Sequence, residues 1–161
     1  MCIRDRVFVA HKGGLQCHIG VAEQRAYRLF KKFSVSRREL RRCLPAGVGK
    51  DALRYIEQID TVWLDTREKR LIAVFEVEMS TSIDSGINRF RNLFAVVPQE
   101  VKAFIVVPND REREVRRKLA SPANRKDSIT SKVRYILAED LKWRKPEEPV
   151  DVEAIAKRAT D

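Results

Sequence analysis

Apolar residues run almost unbroken from Leu71 to Phe75 and again from Val101 to Val107, each bounded by polar segments. Runs this short and this rich in Val, Ile and Phe read as buried strands, and the unalternating second run as one covered on both faces. A third run, Ile59 to Leu64, precedes the first by a six-residue polar link, Asp65 to Arg70, that suits an antiparallel hairpin. Val133 to Leu137 makes a further strand, and Val7 to Ala10 reads as the earliest one. Helical spacing links Ile19, Ala22, Ala26, Leu29 and Phe33, and again Ile87, Phe90, Leu93, Phe94 and Val97. Ser36 with Glu39 three later predicts a capping box opening a short helix through Arg42. A helical turn is expected over 52–58. Ser82 or Asp84 is placed to cap the Ile87 helix and Pro98 to stop it, while Asn109-Asp110 should cap a charged helix from Arg111 to Leu119. From Lys142 the chain is charged and proline-punctuated, reading as a tail or linker with a short helix over Val152 to Ala159. Strands alternating with helices give an α/β class, with a central mixed sheet of four or five strands flanked by helices.

Acids interrupt this pattern where apolar residues belong. Glu76 and Glu78 extend the Leu71 strand, and alternation puts Ile72, Val74, Glu76 and Glu78 on one face. Asp60 interrupts the neighbouring strand, and the hairpin would bring it beside the two glutamates. Unpaired buried carboxylates cost several kcal/mol, and three together repel one another. A hard divalent cation resolves that conflict; ion pairs with Arg89 or Lys102 are the competing explanation. Trp63 falls on the face opposite Asp60 and reads as core. Ser80, Thr81 and Ser82 suit backbone satisfaction in a strand-to-helix loop. His11 and His18 have no acid-rich neighbourhood, and Cys17 and Cys43 have no evident His and acid partners, so neither metal binding nor thiol catalysis is assigned to them.

An Asp on one strand, followed by two acids spaced one residue apart on the next, resembles the PD-(D/E)xK nuclease superfamily of restriction-endonuclease-like fold. Glu78 stands at the usual lysine position, giving an E-x-E variant. The run Glu76-Val77-Glu78-Met79-Ser80-Thr81-Ser82-Ile83, with Ser85-Gly86, Arg89 and Leu93, is similar to a bacterial family with the pattern E-V-E-x-S-T-S-I-x-S-G-x-x-R. Phe104 to Pro108, Arg113, Val115 and Leu119 to Pro122 continue the likeness, which spans 59–141. The resemblance implies a Mg²⁺- or Mn²⁺-dependent hydrolase of DNA, an endonuclease. Asp60 and Glu76, with the backbone carbonyl of Val77, would hold the metal. Glu78 would accept a proton from water or hold a second metal, completing a catalytic set of Asp60, Glu76 and Glu78. Arg89 and Asn92, one helical turn apart, would face nucleic acid. A catalytically inactive nucleic-acid-binding or scaffold module of the same fold is the alternative.

Charge sharpens the expected partner. The chain has 161 residues and a net charge of +10, distributed as +9 over residues 1–50, −3 over 51–100 and +4 over 101–161. An acidic middle between basic flanks suits a metal site within a polyanion-binding surface. Between Arg25 and Arg42 there are eight basic residues and one acid, and Arg25, Arg28, Lys32, Arg37 and Arg38 are the candidates for gripping DNA phosphates. No apolar run reaches membrane-spanning length and no secretory pattern is visible, so a cytoplasmic location and no membrane partner are expected. Three cysteines in no metal-ligand spacing fit a reducing compartment. Residues 1–6, MCIRDR, resemble a translated sequencing-adapter remnant. The expected organisation is therefore a non-native 1–6, a nuclease-like domain over 7–141 lacking its native N-terminal helix, and a tail over 142–161. This leaves room for a homodimer and for a fused or partner domain upstream.

Overall fold

The computed structural model describes residues 15–26, 31, 34–45, 47–98, 100–142 and 151–160. Among them β1 (Gln16–Ile19), β2 (Thr61–Asp65), β3 (Arg70–Val77), β4 (Lys102–Val107) and β5 (Val133–Leu137) form one five-stranded sheet in that order. The first three pair antiparallel and the last three parallel, so β3 belongs to both halves. The expected hairpin is present. Asp65 closes it by accepting from the backbone N–H groups of Arg67 and Glu68, each at 3.0 Å. Asp60 lies just ahead of β2 rather than within a strand.

Simple alternation fails at one position of β3. Register slips between Trp63 and Leu64, pairing Trp63 with Ala73 but Leu64 with Leu71. Ile72 is therefore the extra residue of a bulge. Leu71 joins Val74 in one core cluster, and Ile72 turns to the opposite one. Ile72 thus does not share the face of Val74, Glu76 and Glu78, contrary to the expectation from period two.

Ile19 also departs from its expected role. It ends β1, and the helix α1 (Val21–Ala26) starts after Gly20. A Cβ on Gly20 would lie 2.6 Å from the Ile59 carbonyl oxygen, so only glycine allows this approach. The Gly20 N–H donates to the Asp60 carbonyl at 3.0 Å, which pins the end of β1 beside Asp60. Helix α1 buries Glu23 while Ala22 and Ala26 are exposed. Leu29, Phe33 and the expected strand Val7 to Ala10 lie outside the described residues.

One face of the sheet is covered by α2 (Arg37–Arg42), α3 (Lys50–Ile56), α4 (Ile83–Val96), α5 (Glu112–Leu119), and, after α6 (Pro122–Lys126), α7 (Ile129–Lys132). They contribute Leu40, Ile56, Phe90, Leu93, Val115 and Ile129 against Val62, Val74, Ile105 and Tyr135. The opposite face stacks Trp63, Phe75 and Phe104, with ring centroids 4.5 and 5.2 Å apart. Leu141 of α8 (Ala138–Lys142) and Val152 of α9 (Val152–Ile155) pack there. Strand β4 is buried on both sides, as its unalternating run requires.

Capping follows the sequence at α2, where Ser36 and Glu39 satisfy each other's backbone N–H groups in a full box. At α4 Ser82 holds the cap position without a side-chain bond, and Asp84 pairs with Lys118 instead. Asn109 and Asp110 form a 3₁₀ turn ahead of α5 rather than capping it. Residues 151–160, expected within a tail, pack on the sheet edge. Helix α9 ends at Ile155, and Lys157 exchanges two backbone bonds with Tyr135, at 3.0 and 2.8 Å. Among the described residues no helix is long and apolar enough to cross a membrane.

Candidate active site

Strand β3 carries Glu76 to its C-terminal end and Glu78 just beyond, both against the first half of α4. They are 0 % and 1 % exposed, and Asp60 is 7 % exposed. The Asp60 carboxylate accepts from the Val77 N–H at 2.9 Å, tying the start of β2 to the end of β3. Arg89 of α4 reaches both glutamates. Its Nε lies 3.1 Å from Glu76 Oε2 and its Nη2 3.3 Å from Glu78 Oε1. The Thr81 hydroxyl donates to Glu78 Oε2. Gly86 lets α4 approach this closely: a Cβ there would lie 3.0 Å from Glu78 Oε1 and 3.2 Å from the Glu76 Cβ.

The electrostatics are uneven. Burial, and next the charge of Asp60, push the Glu76 carboxyl well above its ordinary value, while Arg89 pulls the other way. Arg89 and the Asp60 backbone N–H lower the Glu76 value, but neither meets Glu76 with good hydrogen-bond geometry. The Arg89 Nε is within ion-pair range of Glu76 but is not aligned to donate. Of the two cations anticipated as partners, Arg89 is the one engaged; Lys102 pairs with Glu153 at 3.0 Å. Among the described residues no three Asp, Glu, His or Cys side chains stand together as a ready-made metal cluster. The three carboxylates therefore do not converge as freely as the sequence suggested. Asp60 is turned to a backbone donor, and Glu78 is held by Thr81 and Arg89.

Arg111 was not singled out from the sequence, yet it braces the loop after β3. Its Nη1 donates to the carbonyls of Glu78 and Thr81, both at 2.8 Å, and its Nε pairs with Glu114 at 2.9 Å. Bonds to carbonyls some thirty residues away leave no local signature. Arg111→Ala should cost about 1–3 kcal/mol, the usual scale for hydrogen bonds donated by a charged group. Thermal unfolding measures that loss. Faster amide exchange confined to residues 78–82 would separate a loosened loop from general weakening.

The other candidates scatter. Arg25, Arg37 and Arg38 are exposed, and Arg37 pairs with Glu57 at 2.7 Å. Arg28 and Lys32 lie outside the described residues. Asn92 is exposed one turn beyond Arg89, whose guanidinium turns inward to the glutamates. Burial pushes the Cys17 thiol up to about 12, far from thiolate chemistry at neutral pH.

A family model for the C-terminal domain of the type II restriction enzyme NmeDI matches residues 26–143. The chain belongs to that family. The NmeDI C-terminal-domain match takes in β2 to β5, the three acids, Arg89 and Arg111, whereas β1 and α9 lie outside it. No curated protein and no solved structure gives a significant match.

Proposed function

We propose that the chain is a metal-dependent endonuclease that hydrolyses DNA phosphodiester bonds, with a PD-(D/E)xK site in its E-x-E form. Membership of a restriction-enzyme domain family supports DNA as the substrate. The observation that carries the reading is Glu76: a fully buried carboxylate beside Asp60, whose burial and whose acidic neighbour outweigh the pull of Arg89 at 3.1 Å. One arginine shared between two buried glutamates leaves their ionised pair under-compensated, a cost that a divalent cation would offset. The donors at hand are hard oxygens, which fit Mg²⁺ or Mn²⁺ and not a thiophilic metal.

Asp60, Glu76 and the Val77 carbonyl would hold the ion. Such a metal, when bound, lowers the pKa of water and offsets charge on the phosphate. Glu78 is positioned by Thr81 and Arg89 to accept the proton of an attacking water. Arg89, 29 % exposed, keeps a path to solvent and can shift from the glutamates toward a phosphate. Hydrolysis then joins the water oxygen to phosphorus and breaks one phosphorus–oxygen ester bond.

A second reading has a specific observation behind it. Arg89 already neutralises both glutamates, and Glu78 replaces the common lysine, as in a module that binds DNA without cutting it. Plasmid nicking with Mg²⁺ or Mn²⁺ decides. The expected outcome is cleavage that Glu76→Ala lowers on the order of 100-fold, the upper end of the loss seen when a metal's supporting shell is removed. Cleavage surviving the substitution would place the chemistry elsewhere. Salt-sensitive DNA retention without cleavage would establish the binding module.

A further inference from the structure

The only acid in the basic stretch from Arg25 to Arg42 is Glu39, and its carboxylate is tied to Ser36 in the capping box. The cations of α2 are thereby left to another surface. Arg37, Arg38 and Arg41 of α2 and Lys50 of α3 line a groove of about 560 Å³, floored by Leu44, Pro45, Val48 and Leu53. No acid lines it. Arg38, Arg41 and Lys50 are exposed, and among the described residues no ion pair is formed by any of the three. Arg37 marks the end nearer the acids, because its partner Glu57 is three residues before Asp60. Along α3 the groove is lined by Lys50 and Leu53, about one helical turn, roughly 5 Å. Both α3 and the acid-bearing face of β3 contribute to the same core cluster, and α3 packs on α4.

We propose that this groove holds the sugar–phosphate backbone of duplex DNA on the flank of the cleavage site. The proposal rests on the nuclease reading for its substrate, but not on catalysis. Three arginines to one lysine favour bidentate phosphate recognition, and the apolar floor offers a surface for deoxyribose carbons between phosphates. At about 3.4 Å of rise per nucleotide along one strand, a groove one helical turn long spans about two nucleotides. An anionic membrane fits less well. Membrane-surface helices need a protruding apolar face, and among the described residues Met79, after β3, is the large apolar side chain that is exposed.

The test is binding of a duplex oligonucleotide without divalent metal, followed by fluorescence anisotropy from about 50 to 200 mM salt, a range in which phosphate contacts dominate affinity. Arg38→Gln with Arg41→Gln should make the slope of log affinity against log salt shallower by about 2, one contact per residue. Arg125→Gln with Lys126→Gln removes the same charge from α6 and should leave the slope within about 0.5 of the parent. Matched melting temperatures show that each variant is folded. Equal slopes for the groove variant and the parent would overturn the proposal. So would equal losses in both double variants, which would mean diffuse attraction. Vesicle binding that drops with the groove charges while the DNA slope stays fixed would also reject it, in favour of a lipid surface. Cleavage is not read in this experiment: loss of slope without any nicking leaves the groove standing and removes the nuclease reading. Nicking with an unchanged slope does the reverse.

Discussion

In metal-free buffer at pH 8, Glu76→Gln should melt several degrees above the parent chain, with the gap closing as pH falls toward 4.5. The cause is the buried carboxylate. Burial first, and the Asp60 charge next, hold the folded-state pKa of Glu76 above its ordinary value near 4.5. The folded state then binds the proton more tightly than the unfolded chain does. Its contribution to stability is complete below about 4.5 and is lost as pH rises through the elevated folded value. Glutamine keeps the shape without the charge, so it escapes that loss. For a chain of this size the rise is roughly 3 °C for each kcal/mol relieved. If the proposed metal site is right, Mg²⁺ or Mn²⁺ should raise the melting temperature of the parent at pH 8 and not that of the variant, since metal bound only to the folded state stabilises by mass action. An unchanged melting temperature at pH 8 would show that Glu76 is already stabilised as an anion. A metal shift of equal size in the variant would place the ion elsewhere.

Acid should unfold the chain through a different residue. His18 of β1 is 3 % exposed, with Nδ1 3.3 Å from the Ser34 hydroxyl. Burial pulls its pKa down from 6.5 to about 4, outweighing the opposing backbone bonds from Glu57 and Val35. Here the unfolded chain binds the proton more tightly. The stability that His18 lends is complete above about 6.5 and drains away as pH falls toward 4. That interval amounts to on the order of 3 kcal/mol. Denaturant unfolding at pH 7.5 and pH 4.5 should show most of it, and His18→Gln should flatten the difference. A parent-like pH dependence in the variant would move the acid sensitivity to another group. Because the Glu76 trend has the opposite sign, each variant is compared with the parent at the same pH.

Strands β4, β5 and the β2–β3 hairpin were readable because they rest on strong apolar patterns with turn residues between them. The Ser36–Glu39 box and the apolar face of α4 were legible for the same reason: each is a local rule obeyed locally. Ile19 misled because its spacing to Ala22 and Ala26 matches a helix, while the fact that decides it, the contact of Gly20 with Ile59, spans about forty residues. Ile72 misled because a bulge adds a residue without changing composition. At the site, the paired glutamates and Arg89 were visible as residue types in an unexpected place. Arg111 and the turning of Asp60 to a backbone N–H were not, since backbone acceptors and donors carry no residue identity.

Strand β3 is the seam between the antiparallel and parallel halves of the sheet, and that has a consequence for the order of folding. The hairpin carrying Asp60, Glu76 and Glu78 leaves the ribosome before Arg89 and well before Arg111. It is built from near neighbours in sequence, so it can form early. It cannot bury its acids then, because the cations that neutralise and brace them have not arrived. Closure of this corner must wait for α4 and for the first parallel crossover. The nascent hairpin should therefore stay hydrated at its acidic end until α4 and the Arg111 turn pack against it.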